Sequence, residues 1–164
     1  MPHALYAAVL ALLFVACYTD LRSLRIPNPV PIAVAGLFLP FAIATGMSVA
    51  DVLWHLAAGA SVLAAGFAVF AIGLRFGGGD IKLLSALALW CGFGNFLPFF
   101  VAMSFAGGAV AMLVFLARQT GVPVWLAVRG VNIPAFALER SKAYVPYAPA
   151  IALGFAYLGP LAGG

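Results

Sequence analysis

The stretch Gly77-Gly78-Gly79-Asp80-Ile81-Lys82 places a carboxylate and an ammonium group between two long apolar runs of the chain. Ionisable groups at or within a bilayer are costly, and where they occur they usually have a function. Three consecutive glycines leave the backbone free to adopt positive φ angles, as a tight turn requires. The stretch is therefore either part of a functional site or a turn in which Asp80 only caps the next helix. The presence of a second carboxylate, Asp20, favours the functional site, as the rest of the sequence shows.

The composition excludes a soluble globular protein. Of the 164 residues, 66% are hydrophobic and 7% are charged, and the mean hydropathy is +1.16. Soluble domains carry about 25% charged residues. We therefore expect a single integral-membrane domain over residues 1–164, with the lipid bilayer as its surroundings. The net charge of +4 is then a signal of membrane topology. The sequence has no stripe of basic residues that could follow a phosphate backbone, so we do not expect it to bind nucleic acid.

The cysteines and histidines do not form a metal-binding pattern. Cys17 and Cys91 lie in apolar runs without CxxC spacing, which is typical of small buried hydrophobic residues. His3 and His55 are far apart in the sequence. We therefore predict neither a metal site nor a cofactor.

Six apolar runs predict six transmembrane helices, because a span needs about 20 residues and irregular backbone is not tolerated against lipid. They cover roughly residues 3–20, 30–46, 52–74, 81–94, 97–117 and 146–162. No basic residue precedes the first run, which therefore reads as a retained span and not as a signal peptide.

The fourth predicted helix is short. From Ile81 to Asn95 it spans ~22 Å, less than the ~30 Å hydrocarbon core. We therefore expect the turn at residues 77–80 to lie below the membrane surface, inside the protein. Gly94, Asn95 and Pro98 predict the next turn.

All eight basic residues lie in alternate connections between the predicted helices. They are Arg22 and Arg25, then Arg75 and Lys82, then Arg118, Arg129, Arg140 and Lys142. The positive-inside rule places these connections in the cytoplasm and both termini outside. The last connection, residues 118–145, mixes charged and apolar residues and predicts a segment lying on the membrane surface.

The positions of the four carboxylates narrow the candidates for a site. Asp51 falls on the outer side, where it is expected to favour a helix N-terminus. Glu139 lies beside Arg140 in the most polar connection, where a solvated role is expected. Asp20 and Asp80 both lie at cytoplasmic helix ends, so the topology allows them to meet although they are far apart in sequence.

Two close carboxylates in a low-dielectric site cannot both ionise readily, so they share a proton. One can then activate water while the other protonates a carbonyl oxygen or a leaving amine, as in aspartic proteases. No Ser-His or Cys-His pair competes with this chemistry. The alternative is that each aspartate pairs only with the basic residue two positions later, Arg22 or Lys82.

The residues around the two aspartates resemble those of the type IV prepilin peptidases, membrane aspartyl proteases of the GxGD class. The pattern is Asp20-x-Arg22-x-x-x-Ile26-Pro27-Asn28 followed by Gly77-x-Gly79-Asp80-x-Lys82. The six-span layout and the stretch Pro146-Tyr147-Ala148-Pro149 before the last helix are similar too. GxGD alone is a weak signal, but both motifs in this order on one membrane face are specific. The likeness extends over essentially the whole chain.

The resemblance implies an endopeptidase of the inner (cytoplasmic) membrane that removes the short basic leader from prepilins at the cytoplasmic face. The implied substrate is a Flp-type pilin or a pseudopilin. Asp20 and Asp80 match the family's catalytic pair. The motif residues expected to support the site are Gly77, Gly79, Lys82, Arg22 and Asn28.

Larger members of the family carry an N-terminal cytoplasmic region with paired CxxC motifs, associated with N-methylation of the product. This sequence shows neither, and it is similar to the peptidase-only form of tight-adherence (Flp) pilus systems. We therefore expect no methyl transfer by this chain.

Two other functions fit the sequence. The first is an archaeal preflagellin peptidase or related intramembrane protease, with the same chemistry on another substrate. The second is a non-catalytic channel, carrier or pilus-assembly subunit, in which Asp20 and Asp80 bind ions or pair with basic groups.

Overall fold

The computed structural model describes residues 2–73, 77–120, 122–130 and 145–158, and the regular structure in these ranges is α-helical. The helices are α1 Pro2–Ser23, α2 Pro29–Gly36, α3 Phe38–Thr45, α4 Val49–Ala71, α5 Gly78–Thr120, α6 Val122–Val128 and α7 Ala148–Leu158. Of these, α1, α4 and α5 are long and apolar enough to cross a membrane. The chain is thus an all-helical, multi-pass membrane protein with three candidate spans.

The connection from α1 to α2 turns sharply. Leu24 adopts a φ of 51°, and its backbone N–H donates to the carbonyl of Asp20 at 2.8 Å. The new helix begins at Pro29, where a missing N–H costs nothing because the first amides of a helix have no partner within it. Between these points Ile26 turns into the core, with 8% of its surface exposed.

The second predicted helix is present in two parts. α2 and α3 meet at Leu37 and together form the apolar stretch Pro29–Thr45. α3 ends at Gly46, which has a left-handed φ of 68°. Ser48 then caps α4 by accepting a hydrogen bond from the backbone N–H of Asp51 at 3.2 Å. Asp51 therefore lies in the first turn of a helix, as predicted from its sequence position.

The predicted turn at Gly94, Asn95 and Pro98 is wrong. These residues are helical, and α5 continues through Pro98. The helix is instead interrupted at Gly92, whose φ of 61° and ψ of 179° are not helical. The 43 residues of α5 amount to ~65 Å of helix in two segments joined at Gly92, about twice the thickness of a hydrocarbon core.

His55 of α4 supports the break in α5. Its Nδ1 is hydrogen-bonded to the carbonyl oxygen of Leu89 at 2.8 Å, and its ring stacks on Phe38 with centroids 5.3 Å apart. A Cβ added to Gly92 would lie 2.8 Å from the His55 Nε2. The break therefore lies where α4 contacts α5, and not at the turn-forming residues that follow Gly92 in the sequence.

The core is centred on Trp90 of α5. Its buried indole N–H donates to the carbonyl of Val34 in α2 at 2.8 Å, so that its polar atom is satisfied. The ring also packs on Phe41 of α3 and Phe155 of α7, with centroids 4.8 and 6.5 Å away. One side chain thus joins four helices.

Much of the predicted surface segment, residues 118–145, lies outside the described residues, including Glu139, Arg140 and Lys142. Its described part continues α5 to Thr120 and adds α6. There the Arg129 guanidinium lies 3.9 Å from the centroid of the Trp125 ring. Arg75, before the glycine stretch, also lies outside the described residues.

Candidate active site

Asp20 is buried at the last turn of α1, with 5% of its surface exposed. Its carboxylate accepts a hydrogen bond from the backbone N–H of Ala148 at 2.9 Å. The backbone amide of Tyr147 also lies close enough to act on this carboxylate. Because Ala148 is the first residue of α7, the carboxylate occupies the positive end of a helix dipole.

The Pro146-Tyr147-Ala148-Pro149 stretch explains this contact. Pro149 has no N–H of its own, and Pro146 is fully buried, which fixes the backbone before the helix. The backbone amides of Tyr147 and Ala148, which lie between the two prolines, face the Asp20 carboxylate. The end of α1 is thereby joined to the beginning of α7.

Asp80 lies in the first turn of α5, partly buried. The structure brings it close enough to Asp20 for the charge of one carboxylate to act on the other. The two acidic groups, 60 residues apart in sequence, therefore share one region of the molecule.

The glycines before Asp80 matter through the space they leave. A Cβ on Gly77 would overlap the Asp80 carboxylate, and a Cβ on Gly79 would lie 3.1 Å from the Cβ of Ile26. By contrast, nothing lies within 4 Å of such an atom on Gly78. An added Cβ thus meets a close neighbour at the first and third glycines but not at the second, which matches the Gly-x-Gly-Asp pattern.

Two of these glycines do not adopt the positive φ that glycine allows. Neither Gly78 nor Gly79 has one, because both already belong to the first turn of α5. The conformational freedom of glycine is therefore not used at these two positions. What Gly79 provides is close approach of the Ile26 loop to the helix.

The basic residues of the motifs do not pair with the aspartates. The Lys82 ammonium donates to the Oδ1 of Asn28 at 2.9 Å. The Arg22 guanidinium lies over the Tyr18 ring, 5.0 Å from its centroid. Lys82 and Asn28 therefore add a second contact between the two motifs, beside that of Gly79 and Ile26, whereas Arg22 points elsewhere.

Two contributors to this region were not identified as such from the sequence. The backbone amide of Ala148 lies in the stretch Pro146–Pro149, in which the sequence assigns it no role and the two prolines are the available signal. Ile26 belongs to the first motif, but the sequence alone assigns it no role. Its position between a left-handed turn and two prolines is the local feature that directs it inward.

A sequence model of the type IV leader peptidase family matches residues 7–112, which is well over half of the chain and includes both motifs. The chain therefore belongs to the type IV leader peptidase family. Neither a search of curated proteins nor a search of solved structures found a match.

Proposed function

We propose that the protein is a membrane aspartyl endopeptidase that removes the leader from prepilins at the cytoplasmic face of the inner membrane. The observation that carries the proposal is that Asp20 and Asp80 lie near enough, where the two motifs meet, for the charge of one carboxylate to act on the other. Membership of a leader peptidase family supports the reaction class. The proposed substrate is a Flp-type pilin or a pseudopilin.

In the proposed reaction the two carboxylates hold one proton between them. The ionised member removes a proton from water, whose oxygen then attacks the scissile carbonyl carbon. The protonated member donates to the carbonyl oxygen, and a proton is returned to the leaving amine when the C–N bond breaks. The backbone N–H of Ala148 holds the Asp20 carboxylate in place through these steps.

We propose supporting roles for the other motif residues. Gly77 leaves room for the Asp80 carboxylate, and Gly79 lets the Ile26 loop approach the helix. The bond from Lys82 to Asn28 fastens that loop to α5. Arg22 acts at a greater distance, as a positive charge on the cytoplasmic side.

The proposed topology has six spans with both termini outside, and α5 supplies two of them, one on each side of Gly92. The length of α5, about twice a hydrocarbon core, supports this. A cysteine replacing Val49, at the start of α4, should react with a membrane-impermeant thiol reagent in intact cells. One replacing Ser23 should not, when both are made in a Cys17→Ala, Cys91→Ala background. Reversed labelling would overturn the topology.

The function is tested by producing the chain with candidate prepilins in cells that lack any other prepilin peptidase. We expect the prepilin to lose the mass of its leader and the product to carry no added methyl group. A prepilin of unchanged mass, with the chain present in the membrane, would contradict the proposal. Cleavage of a preflagellin but of no prepilin would assign the chemistry to that other substrate.

A further inference from the structure

A groove on the surface of the protein runs between α2, α4 and α5. It has a volume of about 520 Å³ and borders Lys82, two residues from Asp80. It exists because small residues line it, among them Ala35, Gly59 and Ala60. Its rim includes Ile32, of whose surface 69% is exposed. The groove therefore opens sideways, toward the bilayer.

The walls and the end of the groove differ in polarity. Apart from Ser85, the wall beyond Asn28 and Lys82 is apolar, and the Ser85 hydroxyl is already donated to the carbonyl of Gly59 at 2.8 Å. At the end, Asn28 and Lys82 are exposed and bonded to each other. A ligand thus meets hydrocarbon along the groove and a cation at its mouth.

The Lys82 charge has no acidic partner among residues 2–73, 77–120, 122–130 and 145–158, where its bond is to the neutral Asn28. An ammonium at the end of an apolar groove complements an anion with a hydrocarbon tail. Basic pockets between helices on the cytoplasmic side of a membrane bind lipid headgroups in this way.

The size of the groove favours a thin ligand. From Lys82 to Leu89 it follows eight residues of α5, ~10 Å of helix. A peptide helix with its side chains is itself ~10 Å across, as wide as this stretch of the groove is long. A single extended acyl chain is much thinner.

We propose that this groove binds one anionic phospholipid, with its phosphate at Lys82 and Asn28 and an acyl chain along α4 and α5. The assignment of the Lys82 end to the cytoplasmic leaflet rests on the proposed topology. The binding itself does not depend on the peptidase activity. Its test therefore needs no substrate.

The test is native mass spectrometry of the purified full chain in detergent, with phosphatidylglycerol or phosphatidylcholine of identical acyl chains. We expect retention of one phosphatidylglycerol about fivefold above phosphatidylcholine, the ratio for about 1 kcal/mol from one lysine near an anionic headgroup. Lys82→Gln should abolish the preference and Lys82→Arg should keep it. Equal retention of the two lipids by the wild-type chain would overturn the proposal.

The hydrocarbon part is tested on α4. Ala60→Phe fills the groove and should lower the retention of both lipids, whereas Ala57→Phe, exposed on the same helix but outside the groove, should not. Equal loss in both variants would contradict binding in the groove. A photo-crosslinking residue at position 60 should capture lipid in membranes without prepilin. Capture of added prepilin alone, with no lipid adduct, would assign the groove to the substrate and overturn the lipid proposal.

Discussion

Helix α5 depends on glycine at two places, and glycine acts differently in each. At the beginning of the helix, Gly77 and Gly79 leave space for an acidic side chain and for an approaching loop. In the middle, Gly92 adopts a backbone conformation that L-residues avoid, and the ring of His55 also fills the space beside it. The first place shapes the candidate site and the second shapes the helix. Changes at the first should therefore affect catalysis, and changes at the second should affect stability.

The largest expected effect is at the aspartates themselves. Asp20→Asn and Asp80→Asn should each lower prepilin cleavage by about a thousandfold or more, because Asn neither carries the charge nor passes a proton. The double variant should be little worse than either single one, since members of one catalytic unit are not additive. The measurement is product mass over time with the purified chain.

Asp51→Asn is the matched control, because Asp51 lies in the first turn of α4, at the end of that helix far from the two motifs. It should keep most of the activity. The wild-type pH profile should be bell-shaped, with two apparent pKa values that belong to the pair. An active Asp20→Asn or Asp80→Asn chain would end the aspartyl-protease proposal.

The next effect tests the beginning of α5. Gly77→Ala forces the Asp80 carboxylate to move, and a displacement of about 1 Å at a reacting group costs about a hundredfold in rate. Gly78→Ala meets open space and should stay close to wild type. Both variants should unfold at nearly the wild-type temperature. Equal activity of the two would show that the space beside Asp80 is not what Gly77 provides.

The middle of α5 should behave in the opposite way. Gly92→Ala is expected to lower the free energy of unfolding by about 3 kcal/mol, because its φ of 61° and ψ of 179° belong to a region that is essentially restricted to glycine. Thermal unfolding in detergent measures this loss. Gly94→Ala is the control. Gly94 lies in the helical part of α5 after the break, an added Cβ there meets no neighbour, and the substitution should be neutral or stabilising.

Removal of His55 sharpens this last prediction. His55→Ala loses the bond to the Leu89 carbonyl and should cost about 1 kcal/mol. In the Gly92→Ala, His55→Ala double variant the added methyl no longer meets the ring, so the loss should be smaller than the sum of the two. Strict additivity would mean that the ring does not restrict Gly92. Activity per folded molecule should remain near wild type throughout.

The sequence could predict the features that depend on local residues, but not those that depend on distant contacts. The apolar runs predicted all-helical structure and the approximate limits of α1 and α4, because span length and hydropathy are local properties. Asp20 and Asp80 were singled out because carboxylates are so few in this chain. Their catalytic role stays a prediction, although they do lie near each other.

The errors arose where a distant contact decides the local structure. Gly94, Asn95 and Pro98 are the usual residues of a turn, yet the break lies at Gly92, where His55 is available from α4. No local pattern shows that contact. The partner of Asp20 is likewise 128 residues away and is a backbone amide, which leaves no signature in residue type.

The hydrogen bond from Ala148 to Asp20 also sets an order of events during synthesis. Asp20 is made early, but its partner follows 128 residues later, roughly 6–25 s at ~5–20 residues per second. A carboxylate without partners is costly in hydrocarbon, so the end of α1 must stay hydrated or protonated during that interval. Asp20 gains its hydrogen-bond partner only when α7 inserts. A ribosome stalled before residue 148 should therefore hold a nascent chain whose Asp20 is still accessible to water.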